Sequence, residues 1–245
     1  MDVLKSVALL MLSLALGGVH SGKIYGGHEA VAHSRPYMVI LERLCPESNK
    51  AFCDGFLLNE DFVLTAAHCE ASSYNVLFGV HNYYNRAEQN ITVTQSFPHY
   101  NYSMSPYTLS HDIMLLKLSS KVKLSKHVRP IDLAGEDERA LPGRCFVSGW
   151  GNPNRNSTYM SPKLMEVNVT LSDSPLCTKE HLYCCEGQNG PARGDSGGPL
   201  VCENGLAYGV VSYSTMQLNN EPLYAFTKIP DHKRWIDETL NYAGK

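Results

Sequence analysis

Neither sign of charge dominates this chain of 245 residues: 21 Lys and Arg stand against 24 Asp and Glu, a net −3. A protein without a basic excess lacks the electrostatic footprint of polyanion binding, so nucleic acid is not an expected partner. Beyond position 21 no apolar run approaches the roughly 20 residues that a membrane-spanning helix requires, and no membrane association is expected. No internal repeat or low-complexity tract occurs, which excludes solenoid and linker-like architectures. The ten histidines are scattered rather than set at ligand spacing, so neither a metal nor any other cofactor is expected.

What is present begins with a leader. Lys5 precedes the apolar run Val7 to Leu16, and Val19-His20-Ser21 offers small residues where a signal peptidase reads. Residues 1–21 are therefore expected to be a cleaved secretory signal. Secretion makes the eight cysteines (Cys45, Cys53, Cys69, Cys145, Cys177, Cys184, Cys185 and Cys202) candidates for disulfides. Four Asn-x-Ser/Thr sequons, at Asn90, Asn101, Asn156 and Asn168, are glycosylation candidates for the same compartment.

Short β-rich runs then follow one another between turns: Tyr37 to Leu41, Gly55 to Leu58, Phe62 to Thr65, Asn75 to Phe78, Ile113 to Leu118, Cys145 to Trp150, Leu164 to Val169, Ala207 to Ser212 and Leu223 to Thr227. That spacing, without long helical periods between, predicts an all-β sandwich or barrel. One helix is predicted from Pro230 to Tyr242, where Trp235, Ile236 and Leu240 repeat at helical spacing and Gly244 ends the pattern. The charged, proline-containing stretch from Leu124 to Gly143 reads as the link between two halves.

Three places carry chemistry. The turn Arg193-Gly194-Asp195-Ser196-Gly197-Gly198-Pro199-Leu200 sets a hydroxyl and a carboxylate among glycines. Such glycines permit positive φ and let amide N–H groups crowd one point, which suits a nucleophile whose developing oxyanion needs donors. An isolated Gly-x-Ser-x-Gly is as readily a surface turn, so the rest of the chain decides. Leu64-Thr65-Ala66-Ala67-His68-Cys69 places a histidine behind two alanines at a strand end. Alone, such a histidine is more often structural, but small neighbours leave its ring room to turn toward a partner. Asp112 heads the apolar strand Ile113-Met114-Leu115-Leu116. A buried aspartate is costly unless a cation or hydrogen-bond donor meets it, and an imidazole would do that.

The order His68, Asp112, Ser196 is that of the serine-protease triad. Together with Ile24-Tyr25-Gly26-Gly27, Thr65-Ala66-Ala67-His68-Cys69, Asp112-Ile113-Met114-Leu115-Leu116, Ser148-Gly149-Trp150-Gly151 and Gly194-Asp195-Ser196-Gly197-Gly198-Pro199, it makes the chain resemble the chymotrypsin-type serine proteases. Within them it is most similar to the granzyme and mast-cell chymase branch. The resemblance implies two packed antiparallel six-stranded Greek-key β-barrels with a C-terminal α-helix, a protease domain over 24–245, and halves dividing near residue 130, about 24–130 and 131–245. It implies a serine endopeptidase working through an acyl-enzyme, with Ser196 as nucleophile, His68 as general base and acid, and Asp112 orienting the imidazole. Gly194 and Ser196 N–H groups would form the oxyanion hole, Ser212 would support Asp112, and Ser212-Tyr213-Ser214 would pair with the substrate backbone.

Activation follows from the same resemblance. Removal of residues 1–21 leaves the dipeptide Gly22-Lys23, and a cut after Lys23 frees an ammonium on Ile24 for Asp195 to pair with. The resemblance also pairs Cys53 with Cys69, Cys145 with Cys202 and Cys177 with Cys184, each closure worth roughly 2–4 kcal/mol. Cys185 adjoins Cys184 and is the neighbouring alternative for Cys177. Cys45 and Cys185 are left over: paired together, free, or linking two chains. The family's bridge beside the specificity pocket is missing, with Ala192 and Met216 in that region, as is the carboxylate-rich calcium loop, Gly79-Val80-His81-Asn82 standing in its place.

At the specificity pocket the pattern departs. Gly190 falls where trypsin-like enzymes carry a basal aspartate, which argues against cleavage after Lys or Arg. Tyr224 and Ser214 fall at wall positions that are usually glycine, and they narrow the slot toward a small or medium apolar side chain. Alternatively the Tyr224 hydroxyl serves a polar group, and Arg193 at the rim attracts acidic residues beside the cut. Expected partners are protein or peptide substrates, an activating protease and protein protease inhibitors. The expected location is secreted, either extracellular or in a secretory granule. The competing reading is a catalytically silent protease-fold binding protein with an occluded pocket.

Overall fold

Runs in which inward-facing side chains are apolar form fifteen strands and one α-helix in a computed structural model that describes residues 24–44, 50–105, 109–138, 142–153, 157, 159–172, 177, 180–217 and 219–244. The expected leader 1–21, the dipeptide with Lys23, Cys45 and the sequon at Asn156 lie outside the described residues.

The first barrel is closed by β2 (Met38–Leu44), β3 (Lys50–Asn59), β4 (Phe62–Thr65), β5 (Ser73–Phe78), β6 (Gln89–Pro98) and β9 (Met114–Leu118), in the order β2-β3-β4-β9-β6-β5. A small hairpin, β7 (Ser103–Met104) with β8 (Leu109–Ser110), lies outside it. The second barrel joins β10 (Arg144–Gly149), β11 (Met165–Ser172), β12 (Leu182–Glu186), β13 (Pro199–Cys202), β14 (Ala207–Met216) and β15 (Pro222–Lys228), and a β11–β12 pairing closes it. All of these pairings are antiparallel. The chain is thus two closed six-stranded barrels. Strand β1 (His28–Glu29) crosses to the far barrel and pairs with β11.

Every strand expected from the sequence is present. The barrel strands β6, β12 and β13 and the two-residue strands β1, β7 and β8 were not among those expected. Along β6 most side chains stay partly or fully exposed and polar, so its sequence carries little apolar alternation. β12 is short and holds two cysteines.

Phe56, Leu57, Leu64 and Leu115 fill the first barrel and are fully buried, each stabilising by roughly 1.5–3 kcal/mol. Trp150 and Val210 of the second half join the same apolar cluster, so the core runs across the junction where the site forms. The helix α1 (Ile229–Ala243) extends one residue beyond the expected span at each end, with Pro230 in its first turn. Its Ile236 and Ala243 bury against the first barrel's cluster, and Lys117 Nζ of β9 donates to the Ala243 carbonyl. Among the described residues no helix is long and apolar enough to cross a membrane.

Candidate active site

His68 sits in a single 3₁₀ turn, Ala67–Cys69, directly after β4. Ala66 and Ala67 are fully buried, and the disulfide Cys53–Cys69 ties the turn back to β3. Methyl side chains there let the backbone pass tightly against the barrel end while the imidazole stays one-fifth exposed, at 22%. Asp112 precedes β9 and is wholly buried. Its Oδ2 lies 2.7 Å from His68 Nδ1 and its Oδ1 accepts the His68 backbone N–H at 2.9 Å. A buried charge survives where donors replace water, and Asp112 has a third. The Ser212 hydroxyl donates to Oδ2 at 2.5 Å.

Ser212 reaches that carboxylate because of a bulge. On β14, Val211 faces Phe226 and Tyr213 faces Ala225, so Ser212 is the extra residue against β15. A bulge re-aims the side chain it carries, here toward Asp112. Thr227 on β15 donates its hydroxyl to the Asp112 carbonyl at 2.9 Å and fixes the backbone from the other side.

The turn bearing Ser196 enters β13, which the Cys145–Cys202 disulfide fastens to β10. Gly194 and Gly197 hold φ of +105° and +86°, the left-handed region open to glycine. A Cβ on Gly197 would also stand 2.0 Å from Thr65 Oγ1 and 2.3 Å from the Asp54 carbonyl oxygen. Only glycine fits there. The N–H groups of Asp195, Gly197 and Gly198 are spent on Ala192, Val211 and Asp195 carbonyls. Those of Gly194 and Ser196 donate to no acceptor among the described residues, which leaves two N–H groups for a ligand oxygen. Ser196, Gly194 and His68 line one cleft of about 760 Å³, with Phe52, Tyr83 and Arg193. No hydrogen bond joins Ser196 Oγ to His68 in the structure.

Asp195 points away from the cleft into the protein. It is fully buried, and its oxygens accept the N–H groups of Gly151 and Ala192, both at 2.6 Å. Gly149 and Gly151 make the seat: a Cβ on either would lie 2.1 Å or 2.6 Å from Asp195 Oδ1. Sequence reasoning missed a second carboxylate in this seat. Asp54 on β3 is buried, accepts Trp150 N–H at 3.2 Å, and its Oδ2 would lie 2.4 Å from the same Gly149 Cβ. The available signal was an aspartate inside the apolar strand Cys53-Asp54-Gly55-Phe56-Leu57. Burial pushes the Asp195 carboxyl up to about 6, against the two N–H donors that favour its charge. Burial and then the neighbouring Asp195 push Asp54 well above the usual carboxylate range.

Ile24 is fully buried, and Tyr25 exchanges both backbone hydrogen bonds with Gly190, at 3.1 and 3.0 Å. Gly26, at φ +75°, passes so near Asn189 that a Cβ would stand 1.9 Å from its side-chain oxygen. The segment is docked, yet no hydrogen bond runs from Ile24 N–H to Asp195. Gly190 and Tyr224 meet directly: the Tyr224 ring, 1% exposed, occupies the space a Gly190 side chain would take, with Cε2 2.5 Å from that Cβ position. Beside Ser196 there remains a cavity of about 170 Å³ lined by Ala192, Ser212, Tyr213 and Ser214, and neither Gly190 nor Tyr224 reaches it. Residues 213–216 pair with β15 on one edge, and the β13 pairing ends at Val210, so among the described residues no strand pairs with their other edge.

The third disulfide is Cys177–Cys184. Cys185 is a free, buried thiol, pushed up to about 12 by burial and then Glu186. Asn90, Asn101 and Asn168 are exposed.

Comparison with known proteins adds to this geometry. The protein-family profile described as Trypsin matches residues 24–236. "Granzyme B(G,H)" of Mus musculus is 41% identical over 249 residues, spanning 96% of this chain and 98% of its own. "Chymase" of Rattus norvegicus is 39% identical over 246 residues, spanning 95% and 97%. A solved structure described as "Structure of GrC" superposes with a TM-score of 0.76 at 35% identity, covering 88% of this chain and 99% of the other.

Proposed function

The chain belongs to the trypsin family of serine proteases, on its granzyme and chymase branch, and from that premise we propose that Ser196, His68 and Asp112 carry the hydrolysis of peptide bonds. The observation that carries the assignment is the buried Asp112 carboxylate holding the His68 imidazole at 2.7 Å, in a cleft shared with Ser196 and two unspent N–H groups. Ser196 Oγ adds to the scissile carbonyl as His68 takes the hydroxyl proton. The carbonyl electron pair moves to oxygen, where Gly194 and Ser196 N–H receive it. Collapse expels the amine, which takes the proton from His68 and leaves an acyl ester. Water repeats the two steps and restores Ser196. The Ser196–His68 hydrogen bond forms as substrate closes the cleft, since catalytic hydrogen bonds tighten on binding.

Activation is a cut after Lys23 by a protease that recognises a basic residue. In the uncut chain Ile24 offers a neutral amide to a buried carboxylate seat, and the cut supplies an ammonium in its place. The ion pair then holds the Gly194 turn, and with it the oxyanion hole.

Specificity follows from volume. A cavity of about 170 Å³, roughly the space of six waters at about 30 Å³ each, accepts a small or medium apolar side chain before the cut. The exposed Arg193 lines the larger cleft beyond Ser196 and favours an acidic residue after the cut. The open edge of residues 213–216 pairs with the substrate backbone. The leader, the three disulfides and the exposed sequons at Asn90, Asn101 and Asn168 support a secreted or granule-stored glycoprotein, held in check by protein inhibitors.

Occlusion by Tyr224 favours a second reading, a catalytically silent binder. Fluorophosphonate labelling of the Lys23-cleaved protein separates the two: an adduct on Ser196 establishes the peptidase, and correctly cut protein that stays unlabelled refutes it.

A further inference from the structure

At a cavity that shares no lining residue with the cleft, one position before Asp112 in the chain, histidines from distant segments converge. His99 just past β6 and His232 in the first turn of α1 are buried, and His111 stands partly buried between them. Ring nitrogens of the three lie within 4.8 Å of one another. They face a cavity of about 440 Å³ that Asn101, His181 and Asp231 also line. A fourth ring, His181, stacks on His111 with centroids 6.0 Å apart and gives its Nδ1 to Asp231 at 2.9 Å.

Three features suit this cluster to a cation. The hydrogen bonds of His99, His111 and His232 among the described residues run to a backbone N–H, to one another and to the Lys228 carbonyl, so no carboxylate holds these rings as imidazolium and each has a lone pair to give. Second, His232 Nδ1 donates to the Lys228 carbonyl at 2.6 Å, the outer contact that orients metal-binding histidines. That leaves His232 Nε2 bare, and it accepts the proton of His111 Nδ1 across 3.0 Å. Third, two nitrogens bound tetrahedrally to Zn²⁺ at about 2.0–2.1 Å stand roughly 3.3 Å apart, so a cation replaces the shared proton with little opening of the pair.

We propose that His99, His111 and His232 bind a divalent transition cation of the zinc type, and that its occupancy slows the peptidase through the peptide segment His111-Asp112. Neutral imidazoles without carboxylates select such a cation over Ca²⁺ or Mg²⁺. The scattered positions of these histidines hid the cluster in the sequence, where no metal was expected. Ligation at His111 Nδ1 moves that ring's proton to Nε2, so the imidazole stays neutral and the His232 Nε2 lone pair is freed for the same cation. His99 ligates through Nε2 once its own proton has moved to Nδ1, at the loss of the 3.2 Å hydrogen bond from Asn101 N–H. His111 has a left-handed φ of 51°, so any pull on its ring acts on a constrained backbone one residue before the carboxylate that orients His68.

The test is calorimetric titration of Zn²⁺ into Ser196→Ala protein, with Ca²⁺ as control. The expected result is one Zn²⁺ per chain, at least ten-fold weaker in His111→Asn and in His99→Gln, and unchanged in His68→Ala. Asn tolerates the left-handed backbone, and thermal melts confirm that each variant is folded. Unchanged affinity in both ligand variants, loss in His68→Ala instead, or no saturable zinc binding overturns the site. The inhibitory half rests on the peptidase reading, whereas the calorimetry does not. Zinc should lower the rate of the Lys23-cleaved enzyme, and His111→Asn should lose that sensitivity relative to its own metal-free rate. Equal zinc sensitivity in the variant overturns the coupling.

Discussion

Breaking the bond after Lys23 should change how stability responds to acid. In the uncut chain Asp195 is buried with no ammonium beside it, and its carboxyl titrates at about 6 rather than the ordinary 3.8. An acid raised on folding binds more protons folded than unfolded between those two values. The uncut chain is therefore favoured below about pH 4 and loses stability as pH rises through about 6. A shift of about two units, at 1.36 kcal/mol each, makes this loss roughly 3 kcal/mol. For a domain of this size that is on the order of 6–12 °C in Tm. Asp54, raised in the same direction, steepens the slope. After the cut the Ile24 ammonium neutralises one carboxylate and the slope flattens. The assay is thermal unfolding of cut and uncut Ser196→Ala protein between about pH 4 and 7, below the range in which the new amine loses its own proton. Other groups titrate alike in both forms and cancel in the difference. Parallel curves for the two forms would refute the carboxylate seat as the switch, and Asp54→Asn should shrink the difference.

Removing the Ser212 hydroxyl deletes a 2.5 Å hydrogen bond to the charged Asp112, so Ser212→Ala should lower kcat roughly 10–100-fold with little change in KM. Steady-state kinetics on a peptide substrate check this, and an unchanged kcat counts against the bulge as a positioning device. Tyr224→Ala should open the slot beside Gly190 and move the preference before the cut from small residues toward aromatic ones, read by profiling a mixed peptide library. An unshifted profile would mean that Tyr224 does not set the pocket's depth. Cys185 should resist alkylation in the native protein at pH 8 and react on unfolding, because its thiol titrates at about 12, as peptide mapping of labelled protein will report.

Much of the architecture is legible along the chain because strand and turn chemistry is local. The buried runs Met38 to Leu41, Phe62 to Thr65 and Met114 to Leu116 announce themselves by composition, and Pro230 and Gly244 bracket α1 closely. β6 was illegible because its pairing partners, rather than an apolar face, hold it in place: Gln89 to Thr92 pair with β5, and Val93 to Pro98 with β9. Around the site, the three motif residues stood out by their neighbours, whereas Asp54 was missed and Ser212 was reached only through the family resemblance. The first acquires meaning only when β3 lies against the Gly149 seat, the second only through a bulge that no residue type signals.

The amino-acid sequence by itself determined which groups are able to react: a hydroxyl among glycines, an imidazole behind alanines, a carboxylate ahead of an apolar strand. Those are properties of bonded neighbours. Tertiary structure decided everything that depends on distance through space and on the removal of water. It brought Asp112 to His68 across 44 positions and Ser212 to Asp112 across 100. It buried Asp195 beside Asp54, laid the Tyr224 ring against Gly190, and drew three histidines from separate segments to one point. Desolvation, cavity volume and ligand spacing are set by whichever segments pack together, and packing partners are not written in any local stretch of chain.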